Sequence, residues 1–175
     1  LLTEDELHEM LKIGEDGLSG YFEEYKNSMN VPLANEYNFS QRNIYLEEAH
    51  LTGKIDKIEL LKDREIKVVD YKTGSIKSDN VIEGNTKNSD GHLKRQILFY
   101  KILCDLDQGL SQKYEMVSGE LDFVQGKDGK YAKKIISFTL EEVEDLKGLV
   151  LDVWRKIQNQ EFEGCGERDC EFCGG

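Results

Sequence analysis

Lys54-Ile55-Asp56-Lys57-Ile58-Glu59-Leu60-Leu61-Lys62-Asp63-Arg64-Glu65-Ile66-Lys67-Val68-Val69-Asp70-Tyr71-Lys72 reads as two strands, 54–61 and 66–72, joined across the polar turn Lys62-Asp63-Arg64. Side chains alternate faces along a strand, so Ile66, Val68, Asp70 and Lys72 share one face while Lys67, Val69 and Tyr71 share the other. Leu60, Ile58 and Asp56 line up in the same way on the first strand. Pairing Leu60 with Ile66 and Ile58 with Val68 then sets Asp56 opposite Asp70, and a slip of one residue would scatter both the apolar and the acidic sets. Opposed like charges destabilise a sheet unless a cation lies between them. A divalent metal meets that need.

The donors are all oxygens, which selects Mg²⁺ or Mn²⁺, hard ions that take carboxylates and retain several waters. Lys72, two residues beyond Asp70 on the same face, stands where it can orient or deprotonate a metal-bound water and offset the charge of a phosphorane-like transition state. The plain alternative is a solvated hairpin whose acids and lysine do no chemistry.

Gly-x-Ile-Asp-x-Ile at 53–58 followed by Val-Val-Asp-Tyr-Lys-Thr-Gly at 68–74 resembles motifs two and three of the RecB-like branch of the PD-(D/E)XK nuclease superfamily. Gln96-Ile97-Leu98-Phe99-Tyr100 matches the Gln-x-x-x-Tyr helix that follows the hairpin in that branch. The resemblance covers about residues 33 to 160. With the upstream helices and a Cys-rich tail, the whole is most similar to the nuclease domain at the C-terminus of UvrD-type superfamily 1 helicases. The resemblance implies Asp56 and Asp70 as metal ligands, the Tyr71 carbonyl as a further ligand, and Lys72 as the base that positions water. It implies contact of Gln96 and Tyr100 with DNA or with the surroundings of the metal. Glu36, in the predicted strand Asn35-Glu36-Tyr37-Asn38-Phe39, resembles the acid that opens the core in related nucleases; its plain alternative is a solvated edge residue.

Independently of the resemblance, residues four apart stack on one face of a helix, so His92, Gln96, Tyr100 and Cys104 form a stripe that can look toward the hairpin. Leu93, Ile97, Leu98 and Ile102 supply the buried side. The alternative is a partly exposed face with a locally satisfied tyrosine.

RecB-like domains usually carry an upstream Gly-x-x-x-His helix whose histidine also binds metal. Neither His8 nor His50 fits that pattern, and the chain begins at Leu1. We therefore expect an excised piece that starts after the histidine helix. The tail holds Cys165, Cys170 and Cys173 in a C-x4-C-x2-C spacing. By resemblance these belong to a [4Fe-4S] cluster of the full-length parent, completed by an upstream cysteine. The one other cysteine, Cys104, lies in the Gln96 helix, and three ligands do not complete a four-cysteine site. A thiol-rich frayed tail is the alternative.

Composition indicates one globular domain: 175 residues, 38% apolar, one proline. No run approaches the roughly 18 apolar residues of a membrane span and no signal peptide opens the chain, so a cytoplasmic location is expected. The net charge of −12 is unusual for a DNA partner. Its distribution is informative: residues 1–50 carry 3 basic and 11 acidic side chains and residues 104–175 carry 9 and 16, but residues 51–103 carry 11 and 8. The one basic third contains every candidate except Glu36.

Thr3-Glu4-Asp5-Glu6 is a capping box opening a short helix with Leu7, Met10 and Leu11 inward; a second helix is expected after Gly14, through Leu18, Tyr21, Phe22 and Tyr25. Strands follow at 34–39 and 44–51, and residues 73–91, rich in Gly, Asn, Ser and Asp, read as a loop at the edge of the site. Residues 113–123 and 131–138 read as a second hairpin, and Thr139-Leu140-Glu141-Glu142 caps a last helix whose stripe of Val143, Leu146, Val150, Val153, Trp154 and Ile157 is expected to be core.

The expectation is an α/β, restriction-endonuclease-like core: a central mixed β-sheet flanked by α-helices, with a helical N-terminal extension. Its parts are the extension (1–32), the nuclease core (33–160) and the Cys-rich tail (161–175). The implied activity is Mg²⁺- or Mn²⁺-dependent DNA hydrolysis of exonuclease type, serving repair or recombination beside the helicase domains of a parent chain. Two alternatives stand: a catalytically weak DNA-binding or docking module of the same parent, and a stand-alone CRISPR-associated RecB-like exonuclease.

Overall fold

Central strand β5 (Glu65–Lys72) is buried along most of its length, as its run of Ile66, Val68, Val69 and Asp70 requires. It is the third strand of a five-stranded mixed sheet in the order β1 (Ala34–Asn38), β4 (Lys54–Lys62), β5, β6 (Glu115–Lys127), β7 (Lys130–Ile136). The computed structural model describes residues 3–127, 129–161 and 164. Neighbours pair antiparallel except β5 and β6, which are parallel. A parallel pair needs a long crossover, and α3 (His92–Leu106) supplies it. The expected α/β architecture, a mixed sheet flanked by helices with an N-terminal helix, is the one observed.

Register follows the apolar residues. Ile58 pairs with Val68 and Leu60 with Ile66, as the alternation predicts, and Asp63 makes the turn with a left-handed φ of 52°. One face of the sheet meets α3 and α5 (Leu140–Gln158), with Ile58, Val68, Leu121, Phe123, Ile97 and Val143 in a common core. Gly119 lets the crossover helix approach: a Cβ there would overlap the Ile97 side chain.

The opposite face is polar, and α1 (Glu4–Tyr25) lies along β6 there. Lys57, Glu59, Lys67, Glu120, Asp122 and Lys133 form a chain of ion pairs beneath it, with Lys57–Glu59 at 2.7 Å, Lys67–Glu59 at 3.0 Å, Lys67–Glu120 at 2.7 Å and Lys133–Asp122 at 3.1 Å. Tyr21 joins the helix to this network by donating to Asp122 Oδ2 at 2.5 Å. Buried charges persist only when paired in this way.

Several sequence expectations need correction. The N-terminal helix is single and runs unbroken through Gly14, Gly17 and Gly20, each interior glycine costing about 1 kcal/mol, because the Thr3 capping box and the Tyr21 anchor hold both halves. Leu7, Met10 and Leu11 are not inward but half-exposed or more; Tyr21 is the residue of α1 that is buried. The stretch 44–51 is not one strand but a hairpin, β2 (Ile44–Leu46) and β3 (Ala49–Leu51), turned by Glu47 with a φ of 50°. Residues 73–91 contain a short helix, α2 (Asp79–Ile82), whose Ile82 enters the core. Gly91, with a φ of 72°, then turns the chain into α3. The outer half of the α5 stripe is not core: Val153 and Ile157 are exposed. A second short helix, α4 (Gln108–Ser111), capped by Asp107, precedes β6 and has no counterpart in the sequence reading.

Candidate active site

Asp70 sits at the buried end of β5 on the α3 face, only 4% exposed. A carboxylate there must be satisfied, and α3 brings two donors to it. Gln96 Nε2 reaches Asp70 Oδ1 at 2.8 Å and the Tyr100 hydroxyl donates to the same oxygen at 2.9 Å. Gln96 Nε2 also contacts the Tyr100 oxygen at 2.8 Å, so the pair spaced four apart on the helix acts as one clamp. Burial, and after it the Asp70 charge, push the Tyr100 hydroxyl pKa up, which keeps it a proton donor.

Lys72 follows on the same face of β5. Its Nζ donates to Gln96 Oε1 at 2.7 Å and lies 2.7 Å from Asp70 Oδ2. The second contact is an ion pair without hydrogen-bond geometry, and Asp70 Oδ2, though buried, has no hydrogen-bond donor among the described residues. Gln96 therefore touches both the carboxylate and the lysine, fixing their spacing.

Asp56 enters from β4. Backbone pairing between the two strands runs to Lys57–Val69, and beyond it the acids do not meet across a continued ladder. Instead Asp56 Oδ2 accepts the Tyr71 N–H at 2.9 Å. The Asp56 side chain thus takes a backbone donor at the strand position between Asp70 and Lys72. Tyr71 turns its ring to the opposite face, where Lys57 Nζ lies 5.5 Å from its centroid.

The structure brings Asp70, Lys72, Gln96 and Tyr100 into direct contact, with Asp56 joined through Tyr71. Glu36 stands apart from that cluster. It lies on edge strand β1 with a φ of 54°, exposed, and its carboxylate pairs with Lys54. The other members of the α3 stripe also diverge: His92 is exposed and bound to Asp90, while Cys104 is buried in the core, where burial pushes its thiol up to about 12. Cys165, Cys170 and Cys173 lie outside the described residues. Among the described residues no group of three or more His, Cys, Asp or Glu side chains gathers to hold a metal. A cation at this site must draw on two carboxylates, backbone oxygen and water. That donor set fits Mg²⁺ or Mn²⁺, and Asp70 Oδ2, which accepts no hydrogen bond among the described residues and is held only by the Lys72 ion pair, is the oxygen placed to bind one.

The buried ion network under α1 escapes the sequence reading. Its signal lies in the charged residues at inward strand positions 57, 59, 67, 120 and 122, which alternation alone does not distinguish from a solvated face.

A sequence profile described as the PD-(D/E)XK nuclease superfamily matches residues 2–174. The chain belongs to the PD-(D/E)XK nuclease superfamily. No curated protein matches it. Among solved structures it is similar to "Crystal structure of SSO0001", at 16% identity and a TM-score of 0.43, over 94% of this chain and 64% of that one. The PD-(D/E)XK domain thus spans less than two thirds of that relative's length. Among its described residues no helix is long and apolar enough to cross a membrane.

Proposed function

We propose that this PD-(D/E)XK domain is a Mg²⁺- or Mn²⁺-dependent DNA nuclease of the RecB-like type. The observation that carries the reading is Asp70: buried, clamped through Oδ1 by Gln96 and Tyr100, paired with Lys72, and left with Oδ2 free of hydrogen-bond donors. Asp56 and Asp70 would hold the metal, with the Tyr71 carbonyl as a third protein oxygen. When bound, the ion would act as a Lewis acid on the scissile phosphate and lower the pKa of a coordinated water.

The chain's own residues do the rest. Lys72, held by Gln96, positions the attacking water and offers its ammonium charge to the phosphate as negative charge builds. The Gln96–Tyr100 clamp holds the Asp70 carboxylate in place, so little reorganisation is needed at the moment of attack. In-line attack by water forms the new P–O bond as the bond to the 3′ oxygen breaks; the water's proton passes to solvent and the leaving 3′ oxygen takes one from solvent, giving a 5′-phosphate and a 3′-hydroxyl. Glu36 is proposed as an outer support, reached if its pairing with Lys54 opens.

On the same reading residues 33–160 form the nuclease core, 1–32 an extension, and 161–175 a tail whose Cys165, Cys170 and Cys173 serve a [4Fe-4S] cluster in the parent. The basic middle third supplies the local attraction for DNA, and helicase domains of a cytoplasmic repair or recombination enzyme supply the remaining grip. The test is Mn²⁺-dependent cleavage of single- and double-stranded oligonucleotides. Wild type should cut, chelation should stop it, and Lys72→Ala should be slower by roughly 10²-fold or more. Cleavage that survives either change refutes the mechanism.

A further inference from the structure

Beside the catalytic cluster an apolar groove of about 470 Å³ runs between α3, α5 and β3. Gln96 and Phe99 of α3, His50 of β3, and Leu149, Val153 and Trp154 of α5 line it. The apolar stripe of α5 predicts core, yet its Val153 and Ile157 remain 46% and 48% exposed, beside Leu149 at 49%, and nothing among the described residues covers them. Such a face calls for an occupant.

Three features select one. Gln96 lines the groove and at the same time binds Asp70 and Lys72, so the groove begins one side chain from the cluster. Its walls carry two large π faces, Phe99 and Trp154, among aliphatic residues. Among the described residues no carboxylate lines it, whereas His50 and Arg95, the latter paired with Asp90, do, which suits a flat apolar ring. The geometry points to a subsite for one unstacked nucleobase of the strand being cut, adjacent to the scissile phosphate. This inference rests on the nuclease reading, and it specifies how the substrate is held. A base stacked within a duplex cannot enter, so a strand gains this contact only where it is single or locally opened.

Trp154 is the chain's one tryptophan, and its emission reports occupancy of the groove directly. The probe is a phosphorothioate-linked dT8, which resists cutting, compared with a blunt hairpin duplex of equal length. The strand should quench Trp154 and the hairpin should not. Val153→Asp, at an exposed groove position, should weaken dT8 binding about tenfold or more, with thermal unfolding unchanged. An abasic residue walked along dT8 should weaken binding at one position only.

Equal quenching by strand and duplex, or unchanged dT8 binding by Val153→Asp, overturns the subsite. Emission that depends on protein concentration without DNA assigns the groove to a second copy. Emission shielded from iodide and indifferent to dT8 assigns it to the chain's own tail, and either result also overturns the proposal. Failure of the nuclease reading looks different: dT8 then binds and quenches, but unmodified strands are never cut. Cutting without any Trp154 response is the reverse case.

Discussion

At the residue scale the account turns on how Asp70 is held. Gln96 and Tyr100 both bond one oxygen of that carboxylate, leaving the other to the Lys72 ion pair and, on the proposed reading, to the metal. Tyr100→Phe removes one donor but leaves Gln96, so it should lower stability by about 1 kcal/mol and leave Mn²⁺ binding measurable. Gln96→Leu also removes the second acceptor of Lys72, leaving its ammonium to Asp70 alone, where it should compete more strongly with the metal. Calorimetry is expected to show a Mn²⁺ affinity several-fold weaker in Gln96→Leu than in Tyr100→Phe. Equal affinities would mean that Gln96 does not govern the spacing of carboxylate and lysine.

At the element scale, β5 separates two environments. Its even-numbered residues face the apolar core and the catalytic cluster, while Lys67 and Tyr71 face the ion network covered by α1. The hydrogen bond from α1 to that network is Tyr21 on Asp122, a carboxylate with no exposed surface whose other oxygen accepts no hydrogen bond among the described residues, and Lys133 of the network lies over the Tyr25 ring at 4.3 Å. Tyr21→Phe deprives a buried charge of a donor and should cost about 1–3 kcal/mol in chemical denaturation. A cost near zero would show that α1 is held by other contacts.

The period of two in 54–72 makes the hairpin register and the company of Asp70 and Lys72 legible from the residues alone. Asp56's bond to the Tyr71 amide is not legible in that way, because pairing rules describe ladders and not where a side chain replaces one. Gly14 reads as a break, though helix continuity there is decided by caps and by the Tyr21 anchor. The α5 stripe reads as core because periodicity reports an apolar face and is silent on what covers it. For the same reason nothing in the sequence separates α1's exposed Leu11 and Leu18 from buried residues.

At the scale of the whole molecule, the ion network ties stability to pH at both extremes. Burial raises the Glu59 pKa, but hydrogen bonds from Lys57 and Lys67 outweigh it, holding the carboxyl below 4.5. A depressed acid contributes stability above its unfolded value and loses it as pH falls through the folded one. For Lys67 burial lowers the pKa, and bonds to Glu120 and Glu59 outweigh that, raising it above 10.5. A raised base contributes stability below its unfolded value and loses it as pH rises through the folded one. Melting temperature should therefore be flat between roughly pH 5 and 10 and fall on either side. Glu59→Gln should flatten the acid limb, and an unchanged limb would remove the network from the pH response.

The charge distribution works at the same scale, with acidic ends flanking a basic middle third that holds Asp56, Asp70, Lys72, Gln96 and Tyr100. On the proposed nuclease reading, steering toward DNA is local and cleavage rests on the chemistry of that cluster. The most direct measurement is the single-turnover rate of Mn²⁺-dependent oligonucleotide cleavage by wild type and Lys72→Ala, with the Mn²⁺ affinity of each determined by calorimetry. The account predicts a rate loss of roughly 10²-fold or more in Lys72→Ala, with metal affinity held or improved. Equal rates in the two proteins, or a rate loss fully explained by lost metal, would contradict it.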